Sequence, residues 1–117
     1  MQRTALSQSV AWQEAMSLIG RVERATKSGS LGLRRQLQER AMSVAVGVAL
    51  GDRLSKRGQA ERGLRKAEWA LMELEALLAL GEELRYWTPT ELQSLREQLG
   101  RMHRYLAQLE SRLTASQ

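Results

Sequence analysis

The sequence predicts an all-α protein, an up-down-up-down four-helix bundle that assembles into a symmetric homo-oligomer. Three observations lead to this fold class. Helix-forming residues dominate the 117-residue chain, which has one Pro and no Phe, and this composition favours helices over strands. Helix-breaking segments divide the chain into four runs. Within each run, apolar residues recur at intervals of three and four positions. The length suits one domain, which we expect to span residues 1–117.

The boundaries of the four helices follow from breakers and capping signals. The segment Ser28-Gly29-Ser30 ends the first run. The last helix has the sharpest start, because Thr88 and Glu91 form a capping box around Pro89 at the first helical position. Short connections favour antiparallel neighbours, so consecutive helices should pack side by side. We predict helices at roughly residues 7–27, 31–54, 58–84 and 89–113.

Each predicted helix carries an apolar stripe suited to a bundle core. The fourth helix has the most regular one, an unbroken alternation of three- and four-residue steps. The predicted core positions are Trp12, Ala15, Met16, Ile19 and Val22 in the first helix, Leu33, Leu37, Ala41, Val44 and Val48 in the second, Leu64, Ala67, Leu71, Leu74 and Leu78 in the third, and Leu92, Leu95, Leu99, Met102, Leu106, Leu109 and Leu113 in the fourth.

The two middle helices carry more apolar surface than one core requires. Residues 41–51 read AMSVAVGVALG, a run without charge that is too short to cross a bilayer, which needs about 20 apolar residues. We therefore expect no membrane partner. Large exposed apolar areas indicate contact with another protein surface. Alternatively, neighbouring helices of the same bundle cover them. The predicted oligomer interface consists of Met42, Ala45, Val46 and Ala49 on the second helix and Trp69, Met72, Ala76 and Leu80 on the third.

The positive charge is concentrated at the junction of the second and third helices. The net charge is +5 and the isoelectric point is about 10.4. Basic clusters attract phosphates by counterion release, which predicts RNA or single-stranded DNA binding with little sequence preference. The alternative is a solvated helix end. The predicted nucleic-acid-binding residues are Arg53, Lys56, Arg57, Arg62, Arg65 and Lys66, and Glu61 is the one acidic residue among them.

The sequence gives little indication of catalysis or metal binding. Without Cys there is no thiolate chemistry, and His103 is the sole histidine, so we expect it to be structural or solvated. The Glu-x-x-His pattern of di-iron bundles is absent, as are phosphate-binding loops and nucleophile elbows. We expect a protein that is not an enzyme and has no cofactor. The N-terminus lacks a signal peptide's apolar core, which favours the cytoplasm.

The three tryptophans have separate expected roles. Trp12 lies on a core stripe, whereas Trp69 lies on the second apolar face, where an interface anchor is favoured over a base-stacking platform. Tyr86 and Trp87 precede the last helix and should pack over one end of the bundle.

The second and third helices resemble the four-helix bundle family encoded in intervening sequences of 23S ribosomal RNA, which includes the accessory variability proteins of diversity-generating retroelements. Two positions differ from the usual Asn-Ile-Ala-Glu-Gly box, since Gly47 replaces the Asn and Leu50 the Glu. Ser28-Gly29-Ser30 also stands where Phe-Pro is usual. These differences favour the retroelement branch. The resemblance rests on Gln36-Leu37, Ala41, Ser43-Val44, Gly47-Val48-Ala49-Leu50-Gly51, Ser55, Leu64, Ala67, Glu73-Leu74, Leu77 and Ala79, and on a first helix from Ala11-Trp12-Gln13 to Thr26-Lys27.

The resemblance implies a barrel-like homopentamer with a basic surface. In the retroelement branch, such a pentamer binds a reverse transcriptase and nucleic acid. Our functional hypothesis is a non-enzymatic accessory protein that assists a reverse transcriptase and its RNA template. Two alternatives remain: a ribosomal intervening-sequence protein of obscure role, and a protein–protein scaffold whose basic segment only confers solubility.

Overall fold

A computed structural model describes residues 9–25, 30–52 and 56–115. These residues form helices and connecting turns, with no strand in any of the three ranges. The prediction of an all-helical protein with four helices is therefore confirmed. The helices are α1 (Val10–Ala25), α2 (Leu31–Asp52), α3 (Arg57–Glu83) and α4 (Pro89–Ala115).

Side-chain hydroxyl groups cap the N-termini of α1, α2 and α4. The Oγ of Ser9 accepts a hydrogen bond from the backbone N–H of Trp12, and the Oγ of Ser30 accepts one from Leu33, both at 3.2 Å. Before α4, the predicted capping box is present: Glu91 N–H donates to Thr88 Oγ1 (3.2 Å), and Thr88 N–H donates to Glu91 Oε2 (3.0 Å). These bonds satisfy N–H groups that lack a partner within the helix.

Consecutive helices pack side by side, and α1 also packs against α4, so each helix of the bundle has a neighbour on either side. Contacts between side chains of different helices show whether those helices run parallel or antiparallel. Near its start, α1 contacts the middle of α4 through Glu14 and Arg101 (2.8 Å), whereas near its end it contacts the first turns of α4 through Arg21 and Ser94 (2.9 Å). The two helices are therefore antiparallel. The same reasoning applies to α2 with α3 and to α3 with α4, which gives the predicted up-down-up-down order.

The core stripes of α2 and α3 are buried at every predicted position, and so is that of α4 as far as Leu109. The predicted inner face of α1 is wrong at three of its five positions. Met16 is 47% exposed, and Trp12 and Ile19 are only partly buried, whereas Ala15 and Val22 are buried as predicted. Apolar residues occupy more than one side of α1, so spacing alone could not locate its inner face. The residues that α1 buries are Ala11, Ala15, Leu18 and Val22.

Glycines allow α2 and α3 to approach very closely. A Cβ atom on Gly47 would collide with the carbonyl oxygen of Gly63 and lie 2.7 Å from the Cβ of Ala67. A Cβ on Gly63 would lie 2.7 Å from the Cβ of Leu50. Both obstacles belong to the backbone or to atoms next to it, so neither side can move aside cheaply. This contact fixes the spacing of the two helices that carry the predicted interface.

The turn between α3 and α4 closes one end of the bundle. Arg85 has a φ of 61°, and the bonds from Arg85 N to Glu82 O (3.0 Å) and from Tyr86 N to Gly81 O (2.9 Å) form a Schellman motif. The chain then reverses, and the buried Trp87 donates from Nε1 to Leu78 O at 3.1 Å. The predicted packing of Trp87 over the bundle end is confirmed.

Candidate interaction surfaces

An exposed apolar face lies on the outer side of α2 and α3. Trp69 is 63% exposed, and the other residues of this surface, which we call the outer apolar face, are also exposed. They lie opposite the buried stripes of their helices, as the 100° turn per residue requires. The outer apolar face consists of Met42 and Val46 on α2 and Trp69, Met72, Ala76 and Leu80 on α3.

Contacts between α2 and α3 bring the two halves of this face to the same level of the bundle. Arg40 pairs with Glu73 at 3.4 Å, and Gly47 faces Gly63 and Ala67. The residues between these contacts on α2 include Met42 and Val46. Those on α3 include Trp69 and Met72. Two short apolar segments are thus adjacent on neighbouring antiparallel helices.

Two residues of the predicted interface belong elsewhere. Ala45 is 4% exposed and Ala49 is 8% exposed within the single chain, so neither presents its side chain on an outer surface. Their prediction as interface residues is corrected. The apolar run on α2 extends almost around the helix, and its small residues are covered within the bundle while Met42 and Val46 stay outside.

The outward side of α3 changes from basic to apolar along the helix. Arg62, Arg65 and Lys66 are exposed, as expected from their position opposite the core stripe, and Trp69 begins the apolar half one turn later. Lys56, the residue before α3, is also exposed. Arg53 lies outside the described residues, and Arg57 is the first residue of α3.

Carboxylates adjoin one side of this basic segment. Arg65 and Glu61 line an open cleft of about 620 Å³ with Glu110 and Ser111 of α4. Arg62 and Lys66 do not line it. Both are exposed cations on the outward side of α3.

A row of glutamates on α3 faces α4, a feature absent from the sequence-based predictions. Glu82 pairs with Arg96 at 3.3 Å, and Glu75 Oε1 lies 2.9 Å from His103 Nε2. One heptad further towards the start of α3, Glu68 meets Glu110 instead of a cation. The seven-residue spacing of Glu68, Glu75 and Glu82 was the available signal, because that spacing keeps side chains on one face of a helix.

The electrostatics of this row are unfavourable at Glu68. Partial burial, the charge of Glu110 and a hydrogen bond with Glu110 raise the pKa of Glu68 above its ordinary value of 4.5, and His103 opposes the rise. Across the described ranges, no three His, Asp or Glu side chains converge in a way that could hold a metal ion. His103 instead forms a hydrogen bond with Glu75, and this bond links α4 to α3.

The comparison with known families decides the relationship of this chain. The family model described as 23S rRNA-intervening sequence protein matches residues 7–108, which is most of the sequence. The chain belongs to this family. The match covers α1, α2, α3 and most of α4, so the resemblance found in the first three helices extends into α4. No curated protein matches the chain. Within the described residues, no helix is both long and apolar enough to span a membrane.

Proposed function

We propose that this 23S rRNA-intervening sequence family protein is a non-enzymatic RNA-binding protein that acts as a homo-oligomer. The observation that carries the proposal is the division of the outer side of α3 into a basic half and an apolar half. If the outer apolar face is covered by further copies, the basic segments of the subunits are brought together. Several weak phosphate contacts then act as one multivalent site.

Self-association is supported by the exposure and position of the residues of the outer apolar face. Trp69, Met72, Met42 and Val46 are large side chains at one level of the bundle, and all remain substantially exposed in a single chain. Monomeric proteins rarely leave large apolar patches in contact with water. Aromatic residues and Met are also enriched in protein interfaces. The resemblance favours a pentamer.

RNA binding is supported by the exposed Arg62, Arg65 and Lys66. Their charges face outward, and the only exposed Trp among the described residues, Trp69, belongs to the apolar half. Trp69 lies one turn after Arg65 and Lys66, and the proposal assigns its ring to the interface between subunits, so no other exposed tryptophan of the described surface is left for base stacking. Contacts should be made with phosphates, and RNA and single-stranded DNA should bind with little sequence preference.

The assembly is tested with a matched pair of methionine variants. Met72 in the outer apolar face is 49% exposed and Met16 on α1 is 47% exposed, so lysine substitutions at both sites change charge and exposed area similarly. We expect light scattering to show an oligomer for wild type and Met16→Lys, and smaller species for Met72→Lys. A monomeric wild-type protein at micromolar concentration contradicts self-association.

RNA binding is tested by charge reversal. Arg62→Glu with Lys66→Glu should abolish binding of single-stranded RNA and leave the oligomer intact. The control is Arg35→Glu with Arg104→Glu, which gives the same net charge by altering exposed arginines on α2 and α4. Equal loss in both double variants would show that net charge alone matters. Retained binding in the Arg62 and Lys66 variant favours the protein–protein scaffold.

The finer proposal is that the partner is a reverse transcriptase of a diversity-generating retroelement. It is supported by the resemblance and by Gly47, which stands where ordinary members have Asn. At this position even a Cβ atom would collide with α3, so the departure belongs to a distinct packing of α2 on α3. A reverse-transcriptase gene beside this one, and co-purification of its product with the oligomer, would support this role. Copies without such a neighbour would favour the ribosomal intervening-sequence alternative.

A further inference from the structure

A second basic groove lies where the end of α1 meets the start of α4. It has a volume of about 400 Å³ and is open to solvent. Its polar lining comes from Arg21 and Arg24 on α1 and from Thr90, Glu91 and Ser94 on α4. None of these residues belongs to the outer apolar face or to the basic segment at the start of α3.

Arg21 is half-buried in this groove without a carboxylate partner among the described residues. Its Nη1 donates to the hydroxyl of Ser94 at 2.9 Å, which is a neutral acceptor. Elsewhere between the same helices, the guanidinium of Arg101 is neutralised by Glu14 at 2.8 Å. A guanidinium has five N–H donors, so Arg21 keeps donors and a full charge available for an anion.

Arg24 adds a second cation to the same groove. Its guanidinium folds back along α1, since a Cβ on Gly20 would lie 3.3 Å from Arg24 Nη1. In the described part of the chain, Arg24 forms no ion pair. Two guanidinium groups lining one groove repel each other, and an anion bound between them would remove that repulsion.

The α4 side of the groove contributes two hydroxyl groups beside one carboxylate. Glu91 is the one acidic residue in the lining, and its Oε2 is engaged by the backbone N–H of Thr88 at 3.0 Å. Thr90 and Ser94 contribute hydroxyl groups, which donate hydrogen bonds to phosphate oxygens. The start of α4 also carries the positive end of the helix dipole.

We propose that the α1–α4 groove binds a backbone phosphate of the same nucleic acid that contacts Arg62 and Lys66. This inference rests on the proposed function. Because α1 and α3 run in the same direction, the end of α1 and the start of α3 lie at opposite ends of a bundle 46 Å long. In this proposal the nucleic acid runs obliquely, from the outer side of α3 at one end of the bundle to the α1–α4 side at the other end, and phosphates are neutralised at both ends.

The test is the salt dependence of binding to a fluorescein-labelled single-stranded RNA long enough to span the bundle. Between about 50 and 200 mM salt, the slope of log affinity against log salt should fall by about 0.7 for each phosphate that the protein no longer neutralises. We expect Arg21→Gln with Arg24→Gln to reduce this slope and to weaken binding at low salt by about tenfold, the effect of one charge-assisted hydrogen bond. Arg35→Gln with Arg104→Gln is the control of equal charge and should show a smaller change in both quantities.

The possible results separate this inference from the proposed function. Wild-type slope and affinity in the Arg21 and Arg24 variant would overturn the inference alone. Absence of RNA binding by the wild-type protein would overturn both. The single variant Arg24→Gln controls for a folding defect, because Arg24 has no hydrogen bond to a described residue. It should still lower the slope. If polyglutamate binds the wild type but not the Arg21 and Arg24 variant, and RNA binds both with the same affinity and slope, the groove binds acidic protein segments and the inference is wrong.

Discussion

The indole ring of Trp87 fills the space that a side chain on Gly81 would need. A Cβ built on Gly81 would collide with the Cζ2 and Cη2 atoms of that ring. The ring is held in place, because Trp87 is buried and its Nε1 donates to Leu78 O at 3.1 Å. A glycine in the last turn of α3 thus lets the chain fold back over its own helix, and α4 starts at a defined place.

The first prediction concerns this contact. Gly81→Ala should destabilise the fold by about 1–3 kcal/mol through overpacking, which exceeds the gain of up to about 1 kcal/mol that Ala brings to a helix. Thermal and urea unfolding would measure the difference. Gly100→Ala is the control, since a Cβ there meets only the tip of Arg104 at 3.9 Å. Equal stability of the two variants would mean that Trp87 can move aside.

The second prediction concerns the close approach of α2 and α3. Gly47→Ala and Gly63→Ala should each cost about 1–3 kcal/mol, because each new methyl group meets the facing helix at its backbone or Cβ atoms. Gly32→Ala on the same helix as Gly47 has nothing within 4 Å and should stabilise by up to about 1 kcal/mol. The free energy of unfolding decides the sign. A stabilising Gly47→Ala would contradict the contact.

The third prediction concerns Arg85, the second residue after α3. Arg85 has a left-handed backbone with φ 61°, a conformation that costs a residue with a Cβ about 1–2 kcal/mol. Arg85→Gly should therefore raise the free energy of unfolding, by about 1 kcal/mol or less after the extra entropy of Gly in the unfolded chain. Arg85→Ala removes the same side chain but keeps the Cβ, so it should bring no such gain. Denaturant midpoints would compare the two variants.

The fourth prediction concerns pH. The pKa of Glu68 is raised in the folded protein. The carboxyl therefore binds its proton more tightly in the folded than in the unfolded chain. Its stabilising contribution is present below the ordinary pKa of 4.5 and is lost as the pH rises through the raised pKa. At pH 7, Glu68→Gln should remove the cost of partly burying a charge and the repulsion by Glu110, and stabilise the fold by less than about 1 kcal/mol, as for other charge pairs near the surface.

This gain should disappear in acid. Below about pH 4 the wild-type carboxyl is itself protonated, so Glu68→Gln and wild type should unfold at the same denaturant concentration. Glu83→Gln, an exposed residue on the same helix, controls for net charge. A gain at pH 7 that is equal in both Gln variants would assign the effect to overall charge and not to the pair of Glu68 and Glu110.

Some features could be predicted from the sequence because they depend on neighbours along the chain. The capping box of Thr88 and Glu91 is local, and the regular stripes of α2, α3 and α4 leave one inner face for each helix. The exposure of Arg62, Arg65 and Lys66 follows from the same periodicity. Helical geometry alone fixes these relationships.

Only the tertiary structure decided which apolar residues of α1 and α2 face inward. Met16 lies outside and Leu18 inside, and Ala45 and Ala49 are covered within the chain while Val46 is not. The sequence pattern is apolar on more than one side of these helices, so the choice depends on which helix lies beside them. Likewise, the groove of Arg21 and Ser94 and the meeting of Glu68 with Glu110 depend on the register of α4 against α1 and α3. Periodicity places a residue on a face of its own helix, but only packing between helices determines what that face meets.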